Sequence, residues 1–173
     1  MALGFMMLLW VSVFTGGQYL MTTVIEEKSS RVMEVLLSAV SPIQLMTGKI
    51  LGQMAVALSI MSVYLIMGLV ALKQFNMLDL LDASNIAMLM VYFFIAFVLI
   101  GSMMAAIGSA VTEIREAQAL LTPVMLVLFI PMMLWMPIMR NPNSTFSVVC
   151  SMVPPISPFA MVIRMAGMEP IPA

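Results

Sequence analysis

The sequence predicts an all-α protein, a polytopic membrane helix bundle with four full transmembrane helices and a proline-broken re-entrant hairpin. Composition is the first reason, because 63% of the 173 residues are hydrophobic and only 9% are charged, whereas about 25% are charged in a soluble domain. The second reason is that the charges are confined to short stretches between long apolar runs. We therefore expect a single transmembrane domain, residues 1–173, in a multi-pass protein of the cell (plasma or inner) membrane.

Four uncharged apolar runs define the predicted spans. A bilayer core about 30 Å thick takes about 20 apolar residues as helix, and four runs meet that length: residues 3–25, 50–72, 86–111 and 119–139. A charge at the centre of a membrane helix costs about 2.5–3.5 kcal/mol on the insertion scale. The five charges between residues 26 and 34 therefore exclude that stretch from the membrane, and segment 26–49 is predicted to be a loop.

Prolines distinguish the last third of the chain. A proline removes a backbone donor and kinks a helix, and the fourth span contains or adjoins three of them: Pro123, Pro131 and Pro137. Segment 146–166 is apolar again, but it is interrupted by three more: Pro154, Pro155 and Pro158. Two short apolar pieces around prolines indicate an outer re-entrant or interfacial hairpin rather than a fifth full span.

The positions of Lys and Arg weakly favour a cytoplasmic first loop, since these residues accumulate in short cytoplasmic loops. The side of the first loop carries four of them: Lys28, Arg31, Lys49 and Arg115. The opposite side carries three: Lys73, Arg140 and Arg164. In this orientation the N-terminus lies outside the cell, so we expect a further helix before it in a longer protein.

Within the loop, residues 26–40 have the pattern of an amphipathic helix. One face would carry Glu27, Ser30, Arg31, Glu34 and Ser38, and the other Val32, Val35, Leu36 and Ala39. The next residues, Ser41-Pro42-Ile43-Gln44, form a capping-box pattern with proline at the first helical position, which predicts a new helix from Ser41. Two interpretations remain open: a helix lying among lipid headgroups or a docking surface for another protein, which the mixed charges of the polar face favour.

Two segments resemble a known family. The stretch EEKSSRVMEVLLSAVSPIQLMTGKILG, residues 26–52, resembles the loop after the second transmembrane helix in permease subunits of type-2 ABC transporters, the bacterial exporters related to sodium-efflux and drug-efflux permeases. The matching positions are Glu26, Glu27, Lys28, Arg31, Glu34, Leu36, Leu37, Ser41, Pro42, Gly48 and Lys49. The stretch PPISPFAMVIRMAG, residues 154–167, resembles the outer re-entrant segment of the same family, at Pro155, Ser157, Pro158, Phe159 and Arg164.

The resemblance implies the permease component of an ATP-driven exporter. In that family the permease has six helices, of which this chain would supply the second to the fifth. Two permeases, as a homodimer or a heterodimer, work in the lipid bilayer with two ABC ATPase subunits that dock on the cytoplasmic loops. The residues expected to couple this chain to its ATPase are Glu26, Glu27, Arg31, Val32, Glu34, Val35, Leu36, Pro42 and Lys49.

The chain itself is not expected to be an enzyme or to bind a cofactor, so that ATP would act through the partner subunit. The segment TGKILG lacks a phosphate loop, because Ile43 and Ile50 replace the required glycine and hydroxyl residue. No metal site is predicted, since histidine is absent and the many methionines suit apolar filling. A net charge of −1 offers no basic field for nucleic acid.

Small and polar residues inside the spans give further candidates. Small residues at four-residue spacing let helices approach closely, which predicts helix packing, within the subunit or across a dimer, at Gly48, Gly52, Gly101, Ala105 and Ser109. Three polar residues share a face of the first span and would serve interhelical hydrogen bonds or line a substrate route: Thr15, Gln18 and Thr22. The alternative function is a non-transporting membrane scaffold or anchor whose cytoplasmic helix recruits a partner protein.

Overall fold

The computed structural model of the chain describes residues 2–30, 32–76 and 83–166. Over these residues the chain forms seven helices and no strand: α1 Ala2–Ser29, α2 Val32–Ala39, α3 Pro42–Gln74, α4 Ala83–Ala110, α5 Ile114–Arg140, α6 Thr145–Met152 and α7 Ser157–Met165. Four of them, α1, α3, α4 and α5, are long and apolar enough to cross a membrane. The prediction of an all-α bundle with four full spans is confirmed.

The helix boundaries around the first loop differ from the prediction. The amphipathic helix expected over residues 26–40 is two pieces, because α1 continues out of the first apolar run to Ser29 and α2 begins at Val32. The capping box is present: the Ser41 hydroxyl accepts the Gln44 N–H at 3.4 Å, and the Gln44 side chain accepts the Ser41 N–H at 3.1 Å. With this start α3 has 33 residues, about 50 Å at 1.5 Å per residue, so it is longer than the bilayer core is thick.

Helix α1 lies at the centre of the bundle. It packs most extensively against α4 and also contacts α3, α5 and α7. Between membrane spans the hydrophobic effect is weak, so close van der Waals packing holds the helices together. Three phenylalanines illustrate this packing, since each side chain is fully buried: Phe93, Phe97 and Phe159. Helix α3 is peripheral by comparison, and its buried residues are Ala57 and Met61.

Among the glycines of the described residues, Gly16 on α1 has the least space beside it. A Cβ atom at this position would lie 2.6 Å from a ring carbon of Phe97 on α4 and 2.7 Å from the Cβ of Ala57 on α3. A second close approach occurs at Gly108 on α4, where a Cβ would lie 2.9 Å from the carbonyl oxygen of Met21. Glycine therefore sets the spacing of α1 against its two neighbours, as small residues do at membrane helix interfaces.

Helix α5 continues through its three prolines as one helix from Ile114 to Arg140. Pro131 has no N–H to donate to the carbonyl four residues earlier in its helix. At this level Trp10 on α1 donates its indole N–H to the carbonyl of Leu128 at 2.9 Å, and its ring stacks on Phe14 with centroids 5.1 Å apart. Trp10 thus binds the carbonyl next to that of Val127, which Pro131 leaves without its helical donor.

The α1 contact predicts a clear effect of enlarging Gly16. We expect Gly16→Ala to destabilise the folded protein by about 1–3 kcal/mol, because the added methyl must displace Phe97 and Ala57. The measurement is thermal unfolding in detergent micelles. The control is Gly68→Ala on α3, where an added Cβ would have no atom within 4 Å, and helix propensity favours alanine there by up to about 1 kcal/mol. Equal midpoints for both variants would contradict the proposed role of Gly16.

Candidate functional site

The candidate site is the elbow, which we define as residues 26–49: the last turn of α1, the short helix α2 and the first two turns of α3. Helix α2 contacts both α1 and α3. It lies between the end of α1 at Ser29 and the start of α3 at Pro42, which follows the Ser41 cap. The elbow is therefore a folded unit at one end of the bundle, which we call the elbow end.

An ion pair closes the elbow. The Glu27 carboxylate on α1 contacts the Lys49 ammonium on α3. Their side chains are 26% and 11% exposed, respectively, so water and salt screen the pair less than they would a pair on the open surface. On the predicted amphipathic helix Glu27 shares a face with Arg31, which lies outside the described residues. The structure gives Glu27 a tertiary role, because it ties the end of one span to the start of the next.

Lys28 contacts a different helix. Its ammonium donates to the carbonyl of Ser109 at 2.7 Å and to that of Val111 at 3.3 Å. Ser109 lies in the last turn of α4 and Val111 just beyond it. The last carbonyls of a helix have no intrahelical donor, and a cation is stabilising there. Adjacent residues of α1 thus bind α3 and α4.

The exposed side chains of the elbow include large apolar ones and charges of both signs. Five of its large apolar side chains are exposed: Val32, Val35, Leu37, Val40 and Ile43. We call this set the elbow patch. Val35 is 71% exposed, Leu36 is half-buried, and Glu26, Glu34 and Pro42 are exposed. The structure therefore leaves Val32, Val35 and Glu34 of the predicted coupling residues free of the bundle, whereas Glu27 and Lys49 face each other.

The three predicted pathway residues lie at the edge of the described bundle. Thr15, Gln18 and Thr22 are half-buried. The Thr22 hydroxyl donates to the Gln18 carbonyl at 3.0 Å, a bond within its own helix. On the same side of α1, Tyr19 and Thr23 are exposed. A route past these residues would need a second wall from protein outside the described part of the chain.

The predicted packing residues divide into two groups. Gly101 and Ala105 are buried on α4, where Ala105 packs with Leu20 and Val24 of α1. Gly48, Gly52 and Ser109 are exposed, and a Cβ on either of these glycines would meet no atom within 4 Å. The first group therefore serves packing inside the bundle. The second lies on its surface.

At the opposite end of the bundle, α6 and α7 occupy the segment predicted as a re-entrant hairpin. Arg164 on α7 is buried, and its Nε donates to the carbonyl of Pro142 at 2.7 Å. One of its terminal nitrogens donates to the hydroxyl of Ser151 on α6 at 2.8 Å. The side chains of Phe159 and Ile163 on α7 are buried against the bundle. The Arg164 guanidinium thus links α7 to α6 and to the turn that follows α5.

Residues 1–172 match the model of the ABC-2 family of transporter proteins. The chain belongs to the ABC-2 transporter family. In this family member four helices are long and apolar enough to cross a membrane, and the elbow carries the first of the two segments that resemble the family.

Two relatives match almost the whole chain. It is 30% identical over 162 residues to the uncharacterized protein MJ1024 of Methanocaldococcus jannaschii, covering 94% of this chain and 40% of that protein. It is 29% identical over 177 residues to the uncharacterized protein YhaP of Bacillus subtilis, covering 95% of this chain and 42% of that protein. The chain thus spans about two fifths of the length of these relatives. No solved structure matches it.

Sequence reasoning missed three residues that organise this ABC-2 chain: Trp10, Gly16 and Lys28. The pair Gly16-Gly17 in an otherwise apolar span was a signal for close packing. A cation in the last turn of a helix was a weaker signal for Lys28, since it does not say which helix end the ammonium meets. Nothing local to Trp10 indicates its bond to α5.

The ion pair that closes the elbow can be tested by charge exchange. We expect Glu27→Lys and Lys49→Glu each to lower the thermal stability of the protein, because each places two like charges together. The double variant should recover most of the loss, with a coupling free energy of about 0.5–3 kcal/mol. Thermal unfolding of all four proteins in detergent gives this value. Strictly additive losses would show that the two side chains do not interact.

Proposed function

We propose that this chain is the permease component of an ATP-driven ABC exporter and that the elbow couples it to a partner ATPase. Membership of the ABC-2 family and the four spans support the transport role. The observation that carries the coupling role is the elbow patch. Three of its five residues lie on α2, a short helix outside the long apolar runs that is joined to the spans at both ends. Movement of a protein bound there would reach the spans directly.

The chemistry of the elbow patch favours a protein partner over lipid. An exposed apolar cluster marks a protein or membrane contact. A helix that lies on anionic membranes carries Lys and Arg on its polar face, whereas the exposed charges here are mixed in sign: Glu26, Lys28 and Glu34. Acidic side chains are repelled by the negative cytoplasmic leaflet. An ATPase surface with an apolar cleft suits this combination better.

Each predicted coupling residue then has a role. Val32, Val35 and Leu36 supply the apolar contact, and Glu34 with Arg31 sets its register. Glu26 extends the acidic edge, and Pro42 fixes the start of α3 at N1. Glu27 and Lys49 would contact each other rather than the partner. Their ion pair would keep α1 and α3 together when α2 moves.

The rest of the transporter follows from the same proposal. ATP would be bound and hydrolysed by the partner, because this chain lacks a phosphate loop. A second permease, identical or not, would complete the route along Thr15, Gln18 and Thr22. Gly48 and Gly52, which have open space beside them, would serve contact across the permease pair. Export of sodium or drugs from the cytoplasm is the proposed direction and substrate class, with the elbow end cytoplasmic.

The experiment uses the full-length protein reconstituted in proteoliposomes with the ABC ATPase that copurifies with it. We expect Glu34→Lys to insert normally, yet to lower export of radioactive sodium or ethidium per ATP hydrolysed by at least tenfold. The reason is that α2 would no longer dock in register. The control is Lys73→Glu, which reverses an exposed charge in the last turn of α3, at the other end of the bundle.

Wild-type coupling in the Glu34→Lys protein would show that the elbow is not the docking surface. Failure of the wild-type protein to stimulate ATP hydrolysis would contradict the transporter proposal itself. It would favour a scaffold instead.

A further inference from the structure

We propose that Lys28 is a positioning residue that makes the turn between α4 and α5 move together with the elbow. This inference rests on the proposed function, because it names how movement of the elbow would reach the two spans to which α2 is not directly joined in sequence. Through Glu27 the elbow holds α3. Through Lys28 it holds the end of α4 and the start of the next turn.

The contact has the geometry of a charge-assisted bond between distant parts of the chain. The Lys28 ammonium lies 2.7 Å from the Ser109 carbonyl, 81 residues away in sequence, and 3.3 Å from that of Val111. Hydrogen bonds from a charged donor are shorter and about twice as strong as neutral ones. Ser109 and Val111 lie on either side of the last residue of α4, Ala110. A single side chain thus spans the helix terminus and the turn that follows.

Deeper in the bundle, the same two helices are already in close contact. A Cβ on Gly108 would lie 2.9 Å from the Met21 carbonyl and 3.2 Å from the Cβ of Val24. At the Gly108 level the backbones of α1 and α4 therefore leave no room for a side chain between them. Lys28, one helical turn beyond Val24, extends that contact to the ends of both helices. Helices α1 and α4 would then move as a pair.

The turn transmits this movement further because it is short. Only residues 111–113 separate α4 from α5. Val111 and, in the first turn of α5, Ala117 are buried, so both sides of the turn are packed against the bundle. A displacement of Lys28 would therefore reach α5 through three residues, and all four spans would respond to one docking helix.

A simple helix cap is the competing explanation for Lys28. A cap would contribute stability and nothing else, whereas a positioning residue would contribute to coupling. Lys28→Met removes the donor and keeps the aliphatic stem. Lys28→Arg keeps a charged donor of similar reach. The matched control is Lys73→Met, which removes an exposed lysine in the last turn of α3.

The experiment reconstitutes the full-length permease with the ABC ATPase that copurifies with it and measures two quantities. These are permease-stimulated ATP hydrolysis and ethidium or radioactive sodium exported per ATP. We expect Lys28→Met to change hydrolysis by less than twofold and to lower export per ATP by tenfold or more. Lys28→Arg should restore at least half of the wild-type ratio, and Lys73→Met should leave it unchanged.

A wild-type export ratio in Lys28→Met would overturn the inference, as would a loss of ratio that Lys28→Arg fails to restore. Loss of folded protein in Lys28→Met, seen as a collapsed unfolding midpoint, would identify the residue as a cap and also overturn it. These outcomes differ from failure of the proposed function. In that case the wild-type pair itself would show no stimulated hydrolysis.

Discussion

The close approach of α1 to α3 and α4 at Gly16 is the constraint on which the arrangement of the bundle depends. Where a Cβ would lie within 2.7 Å of two other helices, no residue larger than glycine fits without displacing them. Because lipid offers little hydrophobic driving force between spans, such contacts carry much of the cohesion of a membrane bundle. Helix α1 is consequently the element that the other spans share.

The position of α1 determines which helices the charged residues at its end contact. Glu27 and Lys28 are neighbours in sequence, about 100° apart around the helix, and they contact α3 and α4, respectively. The charges are outside the apolar run because a membrane excludes them. Their partners, however, are set by the packing of α1 between two other helices. The glycine contact and the ionic contacts are therefore parts of one arrangement, which ties the elbow to α3 and α4.

The parts of this structure that the sequence could predict are those that local chemistry determines. Apolar length identified all four spans, the serine and glutamine at positions 41 and 44 identified the start of α3, and prolines identified the hairpin of α6 and α7. The partners of Glu27, Lys28 and Trp10 were not predictable, since each lies on another helix and depends on which faces meet. The interruption between α1 and α2 was missed for a related reason: helical periodicity continues through residues 30 and 31, and the sequence has no proline or glycine there.

We propose that the elbow patch contacts a partner ATPase. Photocrosslinking from Val35 tests it most directly, since this side chain is 71% exposed and projects from the middle of α2. In membranes containing the full-length protein and the ABC ATPase that copurifies with it, benzoylphenylalanine at position 35 should crosslink to the ATPase. The same probe at the exposed Val63 of α3 should not. Crosslinking of position 35 to lipid alone would contradict the account.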